Sequence, residues 1–395
     1  MLAFIWNISL HTCNKSKFYC RYCRTLNQQT FTNISKILAR DSKSTTYKFA
    51  LLRGTIDLIN DNSPYIEIKN DRAHFPLGLL IEKWLLYYYP LVDTPQINGT
   101  SSLAFNSKLK ELTVYYQTRG GFSAFYNDLK NKGLPHQLHH LFLLLVKIIA
   151  RTICTMPMRY IGKSVAIQDY SIYQYEPGTR RKVSPEIDAG YLVERFGTFS
   201  IPMEYYEAFQ ILGSFISGQD AILFKWAEFS VRASGKMLSM NQVLDEVLQS
   251  PVTGRDILAS KKLYKEILKK DGKVYCVWTG KLVNSYDIDH IIPFTVWKNN
   301  DLWNLLPVTS AINNKKSDKI PSIELIDNQR ELIAHYWQIL HDAEQHRFQK
   351  EIQLALLGYT PAADWHATAI EQLKNTCGYL INVRGFESWQ GVSAG

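Results

Sequence analysis

Cysteine is scarce and unordered. Six are spread over 395 residues with no even ladder of spacings, which argues against a disulfide framework and suits a reducing compartment. Cys20 and Cys23 form a lone C-x-x-C with Cys13 and His11 upstream, and no second pair completes a tetrahedral set. A zinc site there and two small buried hydrophobes both stay open. Apolar runs of membrane-spanning length are lacking too: Leu141 to Ile149 is short and contains Lys147, and Leu79 to Tyr89 contains Glu82 and Lys83. Both are expected to be buried helices. Met1 to Leu10 has neither a basic leader nor an A-x-A-like cleavage site, so a cytoplasmic location is expected. Internal repeats and low-complexity tracts are missing as well.

What the chain does have is apolar mass, 46% hydrophobic residues, ample for substantial cores, in a length that allows two or three domains. Lys+Arg outnumber Asp+Glu by 45 to 36, a formal charge of +9, which favours nucleic acid or an acidic membrane as partner. From Thr45 to about Cys154 the pattern is helical, with Phe49, Leu52 and Ile56 at helical steps behind Ser44 and Thr45 as capping candidates. Further helices are predicted over 77–89, 107–116 and 135–155. Tyr87, Tyr88, Tyr89, Tyr115 and Tyr116 on them suit core packing, with base stacking as the alternative. Between Tyr160 and Phe199, β-favouring runs at 172–175 and 191–199 flank Glu176-Pro177-Gly178 and predict a hairpin. Arg180, Arg181 and Lys182 after that turn could meet a phosphate or stay solvated. Helical patterning returns over 202–233 and 241–249, and Pro251 and Gly254 mark a domain boundary. Arg255 to Lys270 then reads as a helix with Lys261, Lys265 and Lys269 stacked on one face, along a phosphate backbone or simply in solvent. Helices are again predicted over 322–343, 344–357 and 362–377.

One stretch carries chemistry: Tyr275-Cys-Val-Trp-Thr-Gly-Lys281, Tyr286-Asp-Ile-Asp-His-Ile-Ile-Pro293, Asn300-Asp-Leu-Trp-Asn-Leu-Leu-Pro307 and Ile312-Asn-Asn-Lys-Lys-Ser-Asp-Lys-Ile-Pro321. Val274 to Trp278 and Tyr286 to Ile292 look like two short strands joined by a turn at Thr279-Gly280. Asp289 and His290 are adjacent, so they leave a strand on opposite faces and can meet one phosphate only if it twists or ends there. Pro293 favours an ending. Thr309 or Ser310 would cap a short helix carrying Asn313, then Lys315, Lys316 and Lys319. Phosphodiester hydrolysis needs a water nucleophile, a base, and positive charge on the oxyanion and the leaving 3′-oxygen. His290 offers a near-neutral base. Asp289 and Asn313 offer hard oxygen donors, which select Mg²⁺ or Mn²⁺ over zinc.

This segment resembles the HNH, or ββα-metal, nuclease module. The resemblance implies that Asp289 binds the metal, His290 activates water, Asn304 holds the connecting loop as the central Asn, and Asn313 is the second metal ligand. From Tyr286 through Ser317 the spacing is similar, without gaps, to the HNH domain of RNA-guided CRISPR effector nucleases, and Lys316-Ser-Asp falls on the same tripeptide. Many HNH modules hold a structural zinc on two C-x-x-C pairs. Here Thr279 stands where a partner of Cys276 would be, so no zinc is expected in this module. The rest of the chain lacks room for guide-binding lobes and shows no second nuclease motif. Leu223-Phe-Lys-Trp-Ala-Glu-Phe and the 300–307 run are similar to stand-alone bacterial HNH proteins tied to restriction or phage defence.

The expected fold is therefore α+β, with a mostly helical recognition or regulatory region with a small β hairpin over 1–250, a ββα-metal module over 251–321 and a helical tail over 322–395. The expected function is Mg²⁺-dependent endonucleolytic cleavage of double-stranded DNA, by nicking or double-strand breakage, in restriction or anti-phage defence. Lys315, Lys316 and Lys319 would contact phosphates, and partner proteins of a defence system would be the other company, with no membrane. An inactive HNH-fold DNA-binding or regulatory protein and an RNA-cleaving toxin are the alternatives.

Overall fold

The computed structural model describes residues 28–40, 45–94, 102–162, 172–178, 186–217, 222–271, 273–360 and 365–392. His11, Cys13, Cys20, Cys23, Ser44, Arg180, Arg181 and Lys182, singled out above, lie outside them. The chain builds two hydrophobic clusters, one drawn from Ile34 to Val243 and the other from Tyr264 to Trp389.

The first cluster is helical with a small sheet let into it. Its elements are α1 (Gln28–Arg40), α2 (Tyr47–Asn60), β1 (Glu67–Lys69), β2 (Arg72–Pro76), α3 (Leu77–Tyr88), α4 (Asn106–Gln117), α5 (Gly121–Asn127), α6 (His139–Thr155), α7 (Pro157–Tyr160), β3 (Gln174–Glu176), α8 (Ala189–Arg195), β4 (Thr198–Pro202), α9 (Met203–Ser217), α10 (Ile222–Ala233) and α11 (Met240–Val247). Helices α2 and α3 bury Phe49, Leu52, Ile56, Leu80, Trp84 and Tyr88 at helical spacing. Helix α8 lies so close to α3 that a Cβ at Gly78 would fall 1.8 Å from the Leu192 carbonyl oxygen. With its flanking turns, α6 is long and apolar enough to cross a membrane by length and composition. In this fold it turns Phe142, Leu145, Val146, Ile149 and Ile153 into the core.

The sheet corrects two sequence expectations. Its order is β1-β2-β4-β3, all antiparallel, so β1 and β2 interrupt a region whose period reads as helical throughout. Asn70 and Asp71 join them with φ of 51° and 57°, both positive, as a two-residue hairpin turn requires. Strand β3 does pair with β4, but no tight turn joins them. The 191–199 run divides, because Asp188 accepts from Tyr191 N at 2.9 Å and caps α8, and the strand begins only at Thr198.

The second cluster holds α12 (Leu258–Asp271), β5 (Val274–Tyr275), β6 (Leu282–Val283), β7 (Asp287–His290), β8 (Leu305–Val308), α13 (Ser310–Lys316), β9 (Ile320–Pro321), α14 (Ile323–Asn328), α15 (Arg330–Ala343), α16 (Gln345–Ile352), α17 (Trp365–Asn382) and β10 (Ser388–Trp389). Here too pairing departs from expectation. Thr279-Gly280 sits in the turn between β5 and β6, while β7 pairs antiparallel with β8, His290 opposite Leu305. The 322–395 region is no separate tail, since β10 pairs in parallel with β9 and Trp337 Nε1 donates to the Trp303 carbonyl at 2.8 Å. Helices α16 and α17 also reach the first cluster: Lys350 Nζ lies 2.8 Å from both Glu186 and Asp188, and Asn62 Nδ2 donates to Thr376 at 3.1 Å. Along this seam runs a cavity of about 300 Å³ lined by Asp61, Glu82, Lys130, Trp297, Asp301 and Glu351 among others.

Candidate active site

Strand β7 ends at His290, and the ending lets two consecutive side chains serve one place. Asp289 and His290 are each 5% exposed. Asp289 Oδ2 accepts from Trp278 Nε1 at 2.8 Å, and Oδ1 accepts from Lys316 Nζ at 3.0 Å. Burial pushes this carboxyl above the usual range, against the pull of Lys316, Trp278 and the more distant Arg255. Trp278 in turn meets Trp389 edge-on, ring centroids 5.6 Å apart, so the C-terminal strand buttresses the indole that holds the carboxylate.

His290 is set by a residue outside the sequence-predicted list, Asn300. Its Nδ2 donates to the Gly254 carbonyl at 2.9 Å and its Oδ1 accepts from Asp256 N at 3.1 Å. These two backbone partners fix which end of the amide is oxygen. His290 Nε2 lies 3.1 Å from the same Oδ1, an atom that can only accept, so Nε2 carries the proton and Nδ1 keeps its lone pair. Burial lowers the imidazole pKa to about 4, with Arg255 and Lys316 pushing the same way and the Asn300 bond opposing them. The ring is therefore a neutral base at neutral pH.

Asn304 is fully buried, and its side chain clasps one residue of the chain leaving β7: Oδ1 accepts from Ile292 N at 2.8 Å and Nδ2 donates to Ile292 O at 3.0 Å. Thr309 caps α13 by accepting from Ile312 N at 3.3 Å. The helix packs on β7 and carries Asn313 half-exposed.

The lysines do not behave as one group. The sequence places Lys316 on a phosphate, and the structure corrects this. Ile312 and Lys316, four apart, share the inward face of α13, so Lys316 is fully buried with its ammonium on Asp289 and on the His290 carbonyl at 2.7 Å. Lys319 is in a surface ion pair with Glu387 at 2.7 Å. Lys315 is exposed.

Among the described residues no three His, Cys, Asp or Glu side chains are grouped to hold a metal. The donors on offer are the Asp289 carboxylate, whose oxygens each keep a lone pair beyond the bonds above, and the Asn313 amide oxygen. Oxygen donors of this kind, with water and phosphate, suit a hard divalent cation. Cys276, the one cysteine of the segment, is buried and free. Sequence reasoning missed Asn300, Trp278 and Arg255. The Asn299-Asn300 doublet in the loop before Asn304 is the one local signal for the first.

Residues 27–247 match the family described as a domain of unknown function (DUF8808), and residues 278–322 match the family described as HNH endonuclease. No solved structure matches the chain.

Proposed function

The chain belongs to the DUF8808 family and carries an HNH endonuclease segment, and from that premise we propose that it is a Mg²⁺-dependent endonuclease that hydrolyses double-stranded DNA. The observation that carries this reading is the neutral His290, locked by Asn300 with Nδ1 available, beside the buried Asp289. In this reading His290 Nδ1 takes a proton from the attacking water. The resulting imidazolium keeps its Nε2–H on Asn300 Oδ1, so the ring need not turn. Lys316 is a positioning residue, gripping the Asp289 carboxylate and the His290 backbone together. Asn304 holds the start of the loop between them and Asn313. A cation held by Asp289 and Asn313 would supply positive charge for the oxyanion and the leaving 3′-oxygen.

Residues 1–250 are read as the recognition or regulatory region, 251–321 as the nuclease module and 322–395 as helical support for it. The likeness of 286–317 to the HNH domain of CRISPR effectors, and of the 223–229 and 300–307 runs to stand-alone bacterial HNH proteins, supports foreign or phage DNA in the cytoplasm as substrate. Partner proteins of a restriction or defence system belong to the same reading.

The test incubates the purified chain and its His290→Ala variant with supercoiled plasmid and with total RNA, each with Mg²⁺ or EDTA. The wild type is expected to give nicked or linear plasmid with Mg²⁺ alone, and the variant to bind DNA as before but cut nothing. A plasmid left intact by the wild type, or cut equally by the variant, sinks the proposal. RNA degradation without plasmid cleavage moves the substrate to RNA.

A further inference from the structure

The 248–277 segment lies between the two matched regions, yet it comes within reach of the reacting groups. Asn300 takes hold of this segment on both sides of Arg255: its Nδ2 donates to the Gly254 carbonyl, and its Oδ1, the atom that also holds His290 Nε2, accepts from the Asp256 N–H. The Arg255 backbone is thus clipped to the catalytic imidazole through one amide. Its side chain extends toward Asp318, two residues past Lys316 at the end of α13, the helix that carries Asn313. It is 59% exposed, and its ion pair with Asp318 is long, 3.9 Å, between two exposed side chains. Such pairs contribute little, so the guanidinium can exchange Asp318 for a phosphate and grip it with two parallel N–H groups.

Helix α12 begins three residues later, where Asp256 Oδ1 accepts from Leu258 N at 3.1 Å. It is pinned across β7 and β8 by Tyr264 OH, which donates to the Leu305 carbonyl, and by Tyr286 OH, which donates to the Lys261 carbonyl, each at 3.2 Å. Lys261, Lys265 and Lys269 are all exposed and recur every four residues, about 6 Å apart along the axis. Among the described residues none of the three is in an ion pair, whereas Lys83, Lys108, Lys110 and Lys130 of the first cluster each hold a carboxylate within 3 Å. Unpaired lysines in a row, leading away from an exposed arginine at the active site, fit a polyanionic strand.

We propose that Arg255 grips the phosphate to be cut and that Lys261, Lys265 and Lys269 track the same DNA strand along α12. The proposal rests on the nuclease reading. It makes Arg255 a catalytic residue supplied from outside the HNH match.

Single-turnover cleavage of short duplexes by the full chain is compared with Arg255→Ala and Arg255→Lys, alongside thermal melting. Arg255→Ala is expected to slow cleavage about 10²–10³-fold, the loss typical of one transition-state donor. Arg255→Lys should recover part of it, since an ammonium restores charge but not the fork. Melting should not move. In a His290→Ala background, DNA binding across a salt series should lose about one unit of log–log slope for Arg255→Ala and again for Lys265→Ala. Wild-type cleavage by Arg255→Ala while His290→Ala is dead would overturn the assignment and leave the nuclease reading standing. Unchanged salt slopes would remove α12 from the strand's path. A wild-type chain that cuts neither DNA nor RNA overturns both.

Discussion

Each of the two clusters buries a lysine against a carboxylate, and the pairs live differently. In the first, Lys130 Nζ lies 2.8 Å from Glu82 Oε1 with the lysine side chain 23% exposed, and both residues line the seam cavity. In the second, Lys316 lies 3.0 Å from Asp289 with its side chain at 0%, and a second ammonium proton goes to the His290 carbonyl. A buried ion pair is weak evidence of stability, because desolvation offsets most of the Coulombic gain. What distinguishes Lys316 is its partners: both belong to the proposed active site. The first pair neutralises charge beside a cavity, and the second holds in place the carboxylate that the nuclease reading uses.

Removing each ammonium should separate the two roles. Lys316→Met is expected to cost about 3–5 kcal/mol, the range for leaving a buried charge unpaired, and to abolish cleavage. Lys130→Met should cost less, since the cavity can hydrate Glu82, and should leave cleavage intact. Denaturant midpoints and plasmid assays read both. The Lys316→Met/Asp289→Leu double variant should regain most of the lost stability yet stay inactive. Equal losses for the two single variants would break the comparison.

The seam offers a smaller effect with a sign that pH reveals. Glu351 accepts from Arg347 Nε and from Leu302 N, each at 2.6 Å. Burial, helped by Asp301 and opposed by Arg347, pushes its pKa up to about 8. The folded state thus holds a proton that the unfolded chain releases near the ordinary value of about 4.3. The stability this confers is fully present below that value and is lost as pH rises through about 8. Urea midpoints should fall from pH 5 to 9 in the wild type and fall less in Glu351→Gln, which keeps an acceptor for Leu302 N without the titration. Parallel curves would show that the carboxyl does not titrate in this window.

Helical period carried most of the first cluster, since the 77–89 and 107–116 expectations land on α3 and α4 within a residue or two. Pairing was harder to read, because strand partners are set by distant packing. The Thr279-Gly280 signal is a real turn joining a different pair of strands, and Pro307 inside β8 is a residue that ordinarily tells against a strand. That proline faces Ile288, and its carbonyl still accepts from Val277 N at 2.9 Å. Asp289, His290, Asn304 and Asn313 stood out because their spacing is local. Asn300 did not, because its backbone partners lie 44 and 46 positions away. The inward turn of Lys316 is legible in Ile312 one turn earlier, where period outweighs charge.

The smallest expected effect lies one residue past Lys316. Ser317 ends α13 with φ 49° and ψ −129°, a region that L side chains rarely occupy and that glycine enters freely, as at the first central position of a type II′ turn. The turn is held by Ser317 N donating to the Asn313 carbonyl and by Lys319 N donating to Lys316, at 2.9 and 3.1 Å. It swings the chain from the buried lysine to β9, so the strain sits between the two bonds that aim Lys316 and Asn313. Strain of this kind costs about 1–3 kcal/mol, and glycine's greater freedom in the unfolded chain returns about 0.5–1 kcal/mol of any relief. Ser317→Gly is therefore expected to raise stability by about 1 kcal/mol with cleavage unchanged, by far the mildest change within the site. Chemical denaturation and plasmid cleavage check the two halves separately. A more stable variant that cuts more slowly would mean that the serine backbone positions Asn313, and a less stable one would mean that Ser317 is held without strain.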